Sequence, residues 1–157
     1  MTGRIKIETV AAQPVAAVIE RVAMGEIGRH VMPNLDRVHA FLEAHPALRL
    51  RGARNVLVYR GKDSHLHKDG RIPVEYAVQV ARAFADAGDV NSSSTPEGRV
   101  ATALHAGPYE HLSQTHAAIQ RWCAEHGHAL AGIDWEIYGD WNDDPEKLET
   151  KVCYLLH

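Results

Sequence analysis

The chain has 157 residues, of which 45% are apolar, so one domain can bury about two thirds of the surface that the unfolded chain exposes. The 17 basic and 20 acidic residues give a formal charge of −3, which argues against direct nucleic-acid binding, because phosphate contacts need a concentrated basic face. Residues 1–8 have no apolar signal core, and no segment is apolar enough to span a membrane. Cys123 and Cys153 have no recognised spacing, which is typical of reduced core thiols. We expect a cytoplasmic protein without membrane contact.

The first half of the chain predicts one strand, a helix and two further strands. Leu35, Val38 and Leu42 recur at helical spacing. Pro33 suits the first turn of that helix, and Pro46 opposes its continuation. The flanking segments are short and rich in β-branched residues, which favours strands. The predicted elements are a strand at 15–22, the helix at 34–44, and strands at 55–59 and 74–80.

The second half predicts the same order of elements. Leu112, Ile119, Trp122 and Cys123 form an apolar stripe on a helix, and Gly127 follows where a left-handed C-terminal cap is expected. The predicted elements are a strand at 99–105, the helix at 110–126, and strands at 134–139 and 150–156.

The two halves therefore predict a duplicated β-α-β-β unit. Tyr59 and Tyr138 lie at matching places, 79 residues apart, and one such unit cannot bury its sheet face alone. We predict one α+β domain over residues 1–157 with pseudo-twofold symmetry, an antiparallel sheet with helices packed on it, and a ligand groove between the halves. The repeats cover about residues 5–85 and 99–157. Residues 86–98 are expected to be the connection, and residues 61–73 a hairpin loop.

Glu136 is the residue that this pattern singles out. Strand alternation puts Glu136 and Tyr138 on one face and Trp135 on the other. The matching residue of the first half, 79 positions earlier, is Leu57. A carboxylate in place of leucine is costly if it is buried without a partner. Either Glu136 faces solvent on the outside of the sheet, or it is buried at a position where a partner group compensates its charge.

Several segments of the second half carry a resemblance to a known family. They are Pro96-Glu97-Gly98-Arg99-Val100-Ala101, His105-Ala106-Gly107-Pro108-Tyr109, Trp135-Glu136-Ile137-Tyr138 and Glu149-Thr150-Lys151-Val152. With the helix between them, these segments resemble the GyrI-like small-molecule-binding domain, which also forms the effector-binding half of MerR-type and AraC-type transcription regulators. The resemblance is good over residues 96–157 and weaker over residues 5–85.

The resemblance implies a groove between two β-α-β-β units, with an acidic residue that attracts lipophilic cations. The acidic position falls on Glu136, and Tyr109 and Leu112 match residues that line the family's pocket. No helix-turn-helix segment precedes residue 5, so a standalone member without direct DNA binding is expected.

Aromatic residues could complete such a pocket, because a flat organic cation is attracted to the faces of aromatic rings. The candidate rings are Tyr59, Tyr109, Tyr138, Trp141 and Tyr154. Core packing is the alternative for each ring, and it is favoured for Trp122 and Trp135. The expected function is therefore binding of a lipophilic cation, as a sensor or sequestering protein, without a cofactor.

Two other functions stay open. Some standalone relatives resemble hydrolases that open strained, cyclopropane-bearing alkylating toxins, and Glu136 and Tyr138 would then be the catalytic residues. Family members are also implicated in inhibiting a partner protein, so a partner protein or a second copy of the chain is the third alternative.

Histidines raise the question of a metal site. His65 and His67 lie in the polar loop, and Cys123, His126 and His128 follow one another at the end of the second helix, and all of these side chains can ligate zinc. Neither group has a recognised spacing. The separation of His111 and His116 also misses the geometry of a helical metal pair. We expect surface histidines and no metal, with His105 making ordinary cross-strand contacts.

Overall fold

The computed structural model describes residues 1–61 and 69–157. Over these residues the chain forms eight strands and two α-helices. In chain order they are β1 (Lys6–Val10), β2 (Pro14–Ala23), α1 (Val31–Ala44), β3 (Asn55–Arg60), β4 (Arg71–Gln79), β5 (Asn91–Ser94), β6 (Gly98–Ala106), α2 (Leu112–Glu125), β7 (Leu130–Tyr138) and β8 (Glu149–Leu156). Short 3-10 turns precede both helices, at Met24–His30 and Tyr109–His111.

The eight strands form one antiparallel sheet in the order β1-β6-β8-β7-β3-β4-β2-β5. Between the edge strands β1 and β5, each side of the sheet contains one β-α-β-β unit. Counted from the edge to the centre, the strands of each unit lie in the order first, third, second, which is β6-β8-β7 on one side and β2-β4-β3 on the other. The second strands, β3 and β7, meet at the centre, where Leu57 pairs directly with Glu136. The predicted α+β class and antiparallel sheet are confirmed. The repeat boundaries at about residues 5–85 and 99–157 stay a prediction.

The two edge strands were not predicted. β1 pairs with β6, with Lys6 opposite Thr102, so the first strand of the chain covers the edge of the second half. β5 pairs with β2, so the predicted connection at residues 86–98 contains a short strand at residues 91–94. Its sequence, one asparagine and three serines, has low strand propensity. The open edge of β2 therefore decides its conformation.

The helices agree with the predicted periodicity but differ in their ends. α1 begins at Val31, which places Pro33 in its first turn. α2 ends before Gly127, which has a φ of +72° as a left-handed cap requires, and the amide of His128 donates to the carbonyl oxygen of Cys123 at 2.9 Å. Most of the predicted loop at 61–73 lies outside the described residues, and residues 71–73 belong to β4. Neither helix is long and apolar enough to cross a membrane.

The sheet is curled, with the helices on its outer face. α1 packs on β2 and β4, and α2 packs on β6 and β8. The other face has its own core, in which Val15 of β2 and Val100 of β6 join Trp135 of β7, although β2 and β6 lie near opposite edges of the sheet. This inner face is concave, because its side chains are buried against one another rather than against a helix.

The connection from β1 to β2 requires the same curvature. Only three residues, 11–13, separate these strands along the chain, and four Cα–Cα steps reach at most about 15 Å. In the sheet order, however, β2 lies six positions from β1, or about 29 Å in a flat sheet. A flat sheet is therefore incompatible with this connection.

Candidate functional site

A groove with a volume of about 920 Å³ lies on the outer face of the sheet, between α1 and α2. The first half contributes a mostly apolar wall, with Asn55 and Tyr59 as its polar members, and the second half contributes a mostly polar wall. The apolar wall consists of Met24, Ile27, Val31, Met32, Leu35 and Leu57. The polar wall consists of Tyr109, His116, Gln120, Glu136 and Tyr138.

Strand alternation and helix periodicity place these side chains. Asp134, Glu136 and Tyr138 are alternate residues of β7 and therefore share the face that the helices cover. Trp135, on the opposite face, is buried in the inner core. On α2 the buried positions recur every three or four residues and include His116. The helix thus places His116 above the central strand that carries Glu136.

Glu136 is only 4% exposed, and both of its carboxylate oxygens have partners. Oε1 accepts hydrogen bonds from the hydroxyls of Tyr59 at 2.7 Å and Tyr138 at 2.6 Å. Oε2 lies 2.7 Å from Nε2 of His116. The solvent-facing alternative for Glu136 is therefore wrong, because the carboxylate lies under the helices, at the base of the groove.

The surroundings of Glu136 favour its ionised form. Burial by itself raises the pKa of Glu136, but the hydrogen bond and charge of His116, together with the hydroxyls of Tyr138 and Tyr59, lower the pKa below its ordinary value. The pKa values of Tyr59 and Tyr138 are both raised, first by burial and then by the neighbouring Glu136. At neutral pH the site thus contains a buried anion held by neutral hydroxyl donors.

His116 is the functional candidate that sequence reasoning missed. It was expected on the surface, but it is 8% exposed. Its Nδ1 lies 2.6 Å from the Tyr154 hydroxyl and 3.5 Å from Oδ2 of Asp134. The helix spacing contained a signal, because position 116 falls on the stripe between Leu112 and Ile119.

Six of the seven predicted ligand-binding residues line the groove. They are Tyr59, Tyr109, Leu112, Glu136, Tyr138 and Trp141. The seventh, Tyr154, lies outside the lining, because α2 covers its ring and its hydroxyl is bonded to His116 and Gln120. Tyr154 therefore supports the polar wall from behind. Contact of the other six residues with a ligand stays a prediction.

His105 holds the turn that brings Tyr109 to the groove. Its imidazole is buried, with Nδ1 2.7 Å from the hydroxyl of Thr115 and Nε2 3.1 Å from the carbonyl oxygen of Pro108. The ring of Tyr109 then meets the ring of Tyr138 edge to face, with centroids 5.5 Å apart. His105 thus connects the turn to α2, and it also pairs across the sheet with Thr150 of β8.

The described residues give no support to a metal centre. Within residues 1–61 and 69–157, no three His, Cys, Asp or Glu side chains are arranged to hold a metal ion. Cys123 is buried, which raises the pKa of its thiol, and His126 and His128 stack on Trp122. His65 and His67 lie outside the described residues.

A comparison with protein-family models identifies the family. The model of the GyrI-like small molecule binding domain matches residues 4–156. The chain belongs to this family. A comparison with curated proteins gives no significant match.

Solved structures with the GyrI-like fold include regulators and a hydrolase. The C-terminal domain of EcmrR is 18% identical, with a TM-score of 0.80 over 98% of this chain and 97% of that domain, whereas the chain covers 57% of EcmrR in its DNA complex. A hydrolase from Listeria innocua is 13% identical, with a TM-score of 0.66 over 98% of this chain and 92% of that one. SAV2435 bound to tetraphenylphosphonium is 12% identical, with a TM-score of 0.69 over 98% of this chain and 94% of that one.

Proposed function

We propose that the groove binds lipophilic aromatic cations and that the protein acts as a cytoplasmic sensor or sequestering protein for them. The observation that carries this proposal is Glu136, a buried carboxylate with a lowered pKa at the base of a groove that has one apolar wall and several aromatic rings. Among the described residues, none that lines the groove is Lys or Arg. Two buried carboxylates, Asp134 and Glu136, lie within 3.5 Å of the imidazole of His116.

The expected ligand is a cation whose charge is spread over an aromatic body. A unit charge about 5 Å from Glu136 gains about 3 kcal/mol at an effective dielectric constant near 20. Each ring among Tyr59, Tyr109 and Tyr138 adds about 0.5 to 2 kcal/mol of cation–π attraction. The apolar wall covers the hydrocarbon part of the ligand. Such a site selects charge and aromatic character rather than one shape.

The hydrogen bonds of Glu136 favour a cation that has no donors of its own. Three donors already contact the carboxylate, so a quaternary cation, which needs only the field of the anion, fits better than an amine. SAV2435, which shares the fold, is bound to a cation of this kind, tetraphenylphosphonium. This relative supports the proposed ligand class for the present chain.

The test is a titration of the protein with tetraphenylphosphonium by calorimetry, with Glu136→Gln as the variant. We expect this variant to bind about 100-fold more weakly, as the loss of about 3 kcal/mol implies. Glu110→Gln is the matched control, because Glu110 lies at the same groove but is exposed, so solvent screens its charge and affinity should change less than threefold. Equal affinities for the wild type and Glu136→Gln would overturn the proposal.

Hydrolysis of strained alkylators is the second candidate function. It is favoured by the shared fold of the hydrolase from Listeria innocua and by the hydroxyl of Tyr138, 2.6 Å from the carboxylate of Glu136. Three donors and a lowered pKa make Glu136 a weak base, which is why we place binding first. Turnover of a cyclopropane-bearing alkylator that Glu136→Gln abolishes would reverse this order. Binding of a partner protein or of a second copy stays a prediction, and a complex independent of Glu136 would support it.

A further inference from the structure

His116 occupies the place that a cationic ligand would need. Its Nε2 lies 2.7 Å from Oε2 of Glu136, and both residues line the groove. A protonated imidazole is itself a flat aromatic cation. When His116 is protonated, Glu136 therefore already has an internal counter-ion, and a cation in the groove meets a repelling charge.

The contacts of His116 fit both of its protonation states. In the neutral ring, Nε2–H donates to Glu136, and Nδ1 accepts from the hydroxyl of Tyr154, 2.6 Å away. In the protonated ring, Nδ1–H can donate to the same hydroxyl oxygen, and Asp134 lies 3.5 Å from Nδ1 as a second anion. A hydroxyl both donates and accepts, so neither state leaves a buried nitrogen without a partner.

The other elements around His116 supply anions and neutral groups. The titratable groups of the described residues that face its ring are Asp134 and Glu136 on β7, Tyr154 on β8, Tyr59 on β3 and His105 on β6, with Glu110 at the groove mouth. Across the groove, α1 presents apolar side chains such as Leu35. A cation that enters would therefore add a positive charge to a groove whose described lining has no Lys or Arg.

We propose that binding of a permanent cation is coupled to the loss of one proton from His116, so that the groove holds cations more tightly at higher pH. This inference rests on the proposed function and adds its regulation. Histidine is the side chain that ordinarily changes charge between pH 5 and 8, whereas Glu136, with its lowered pKa, stays ionised over that range. The imidazole would thus act as a proton-controlled competitor of the ligand, with acid releasing the cation.

Calorimetry with tetraphenylphosphonium, whose charge does not change with pH, tests the coupling. Between pH 5.5 and 8 we expect the affinity of the wild type to rise by up to tenfold per pH unit, the limit for one linked proton. Titrations at pH 6.5 in two buffers of different ionisation enthalpy should show net release of up to one proton per cation bound. Triphenylphosphine oxide, a neutral probe of similar shape, should bind without proton release.

His116→Gln should remove the coupling, because glutamine keeps a donor for Glu136 but has no titratable charge. We expect it to release no proton at pH 6.5. His111→Gln is the matched control, since His111 is an exposed histidine in the turn just before α2, and it should release as many protons as the wild type.

The possible results separate this inference from the proposed function. If the wild type binds the cation without proton release, or if His116→Gln releases as many protons as the wild type, the coupling is wrong, although Glu136 can still be the anion. If the cation does not bind at any pH, or binds equally well to Glu136→Gln, the proposed function itself fails. Should His116→Gln not fold, proton release by the wild type alone still decides the question.

Discussion

The two halves of the molecule use the same scaffold for opposite surfaces. Leu35 on α1 and Leu57 on β3 form the base of the apolar wall, whereas His116 on α2 and Glu136 on β7 take the matching places in the polar wall. Leu57 and Glu136 are even direct neighbours across the central strand pair. The comparison shows that a buried ionisable pair can replace two leucines without any change in the order of strands and helices.

Residues behind the polar wall provide the contacts that keep the pair of His116 and Glu136 buried. Nδ1 of His116 is hydrogen-bonded to the hydroxyl of Tyr154 and lies 3.5 Å from Asp134, and Gln120 donates to the same Tyr154 hydroxyl. The two groove tyrosines hold Glu136. Because a buried polar group without a partner is costly, the charge pair depends on this complete set. A buried pair of this kind contributes little net stability compared with apolar residues, so its value is expected in ligand recognition.

The largest effect is expected when only one member of the pair is made apolar. Glu136→Leu removes the carboxylate to which His116 and two tyrosine hydroxyls are hydrogen-bonded and should lower the free energy of unfolding by about 3 to 5 kcal/mol. The double variant His116→Leu/Glu136→Leu should recover the part of that loss that comes from the buried imidazole, because replacing both members of a buried pair is often neutral or stabilising. Urea unfolding at pH 7 measures both. A double variant as unstable as the single one would show that the walls are not interchangeable.

An intermediate effect is expected at the two tyrosines, which lie at matching places in the two halves. Tyr59→Phe and Tyr138→Phe each remove one hydrogen bond to Oε1 of Glu136, and each should lower the free energy of unfolding by about 1 to 3 kcal/mol. We expect the two losses to agree within about 1 kcal/mol. Urea unfolding of both variants checks this, and a loss confined to one tyrosine would contradict equivalent roles.

The smallest effect is expected at the rim of the groove. Trp141 is 72% exposed and Met32 is 67% exposed, on opposite sides of the opening. Trp141→Ala should change the free energy of unfolding by less than about 0.5 kcal/mol, and it should weaken tetraphenylphosphonium binding about two- to fivefold through lost cation–π contact. Met32→Ala, which removes no aromatic ring, is the control in the other half. A weaker effect of Trp141→Ala than of Met32→Ala would exclude a role of the indole.

Local periodicity accounts for what the sequence predicted correctly. Alternation along β7 and helical spacing on α1 were enough to predict the strand–helix order and to place Glu136 and Tyr138 on one face. The 79-residue offset that matches Leu57 with Glu136 even corresponds to the central strand pair of the sheet.

Contacts between distant segments account for what the sequence did not predict. The pairing of β1 with the second half and of β5 with β2 depends on which strand edges remain open, which no local pattern records. The partnership of His116 with Glu136, the covering of Tyr154 by α2, and the apolar residues of the Met24–His30 turn likewise depend on how helices and sheet approach one another. Side-chain type suggested the chemistry of the site, but only the packing showed its neighbours.

The three-residue connection between β1 and β2 also bears on the readiness of the groove for a ligand. The helices α1 and α2 lie on the convex side of the sheet. If the sheet became flatter, the two helices would move closer together and the groove between them would narrow. The three-residue connection between β1 and β2 prevents this flattening of the sheet. The groove is thus formed before a ligand binds. The conformational entropy needed to form it is lost during folding and not at each binding event.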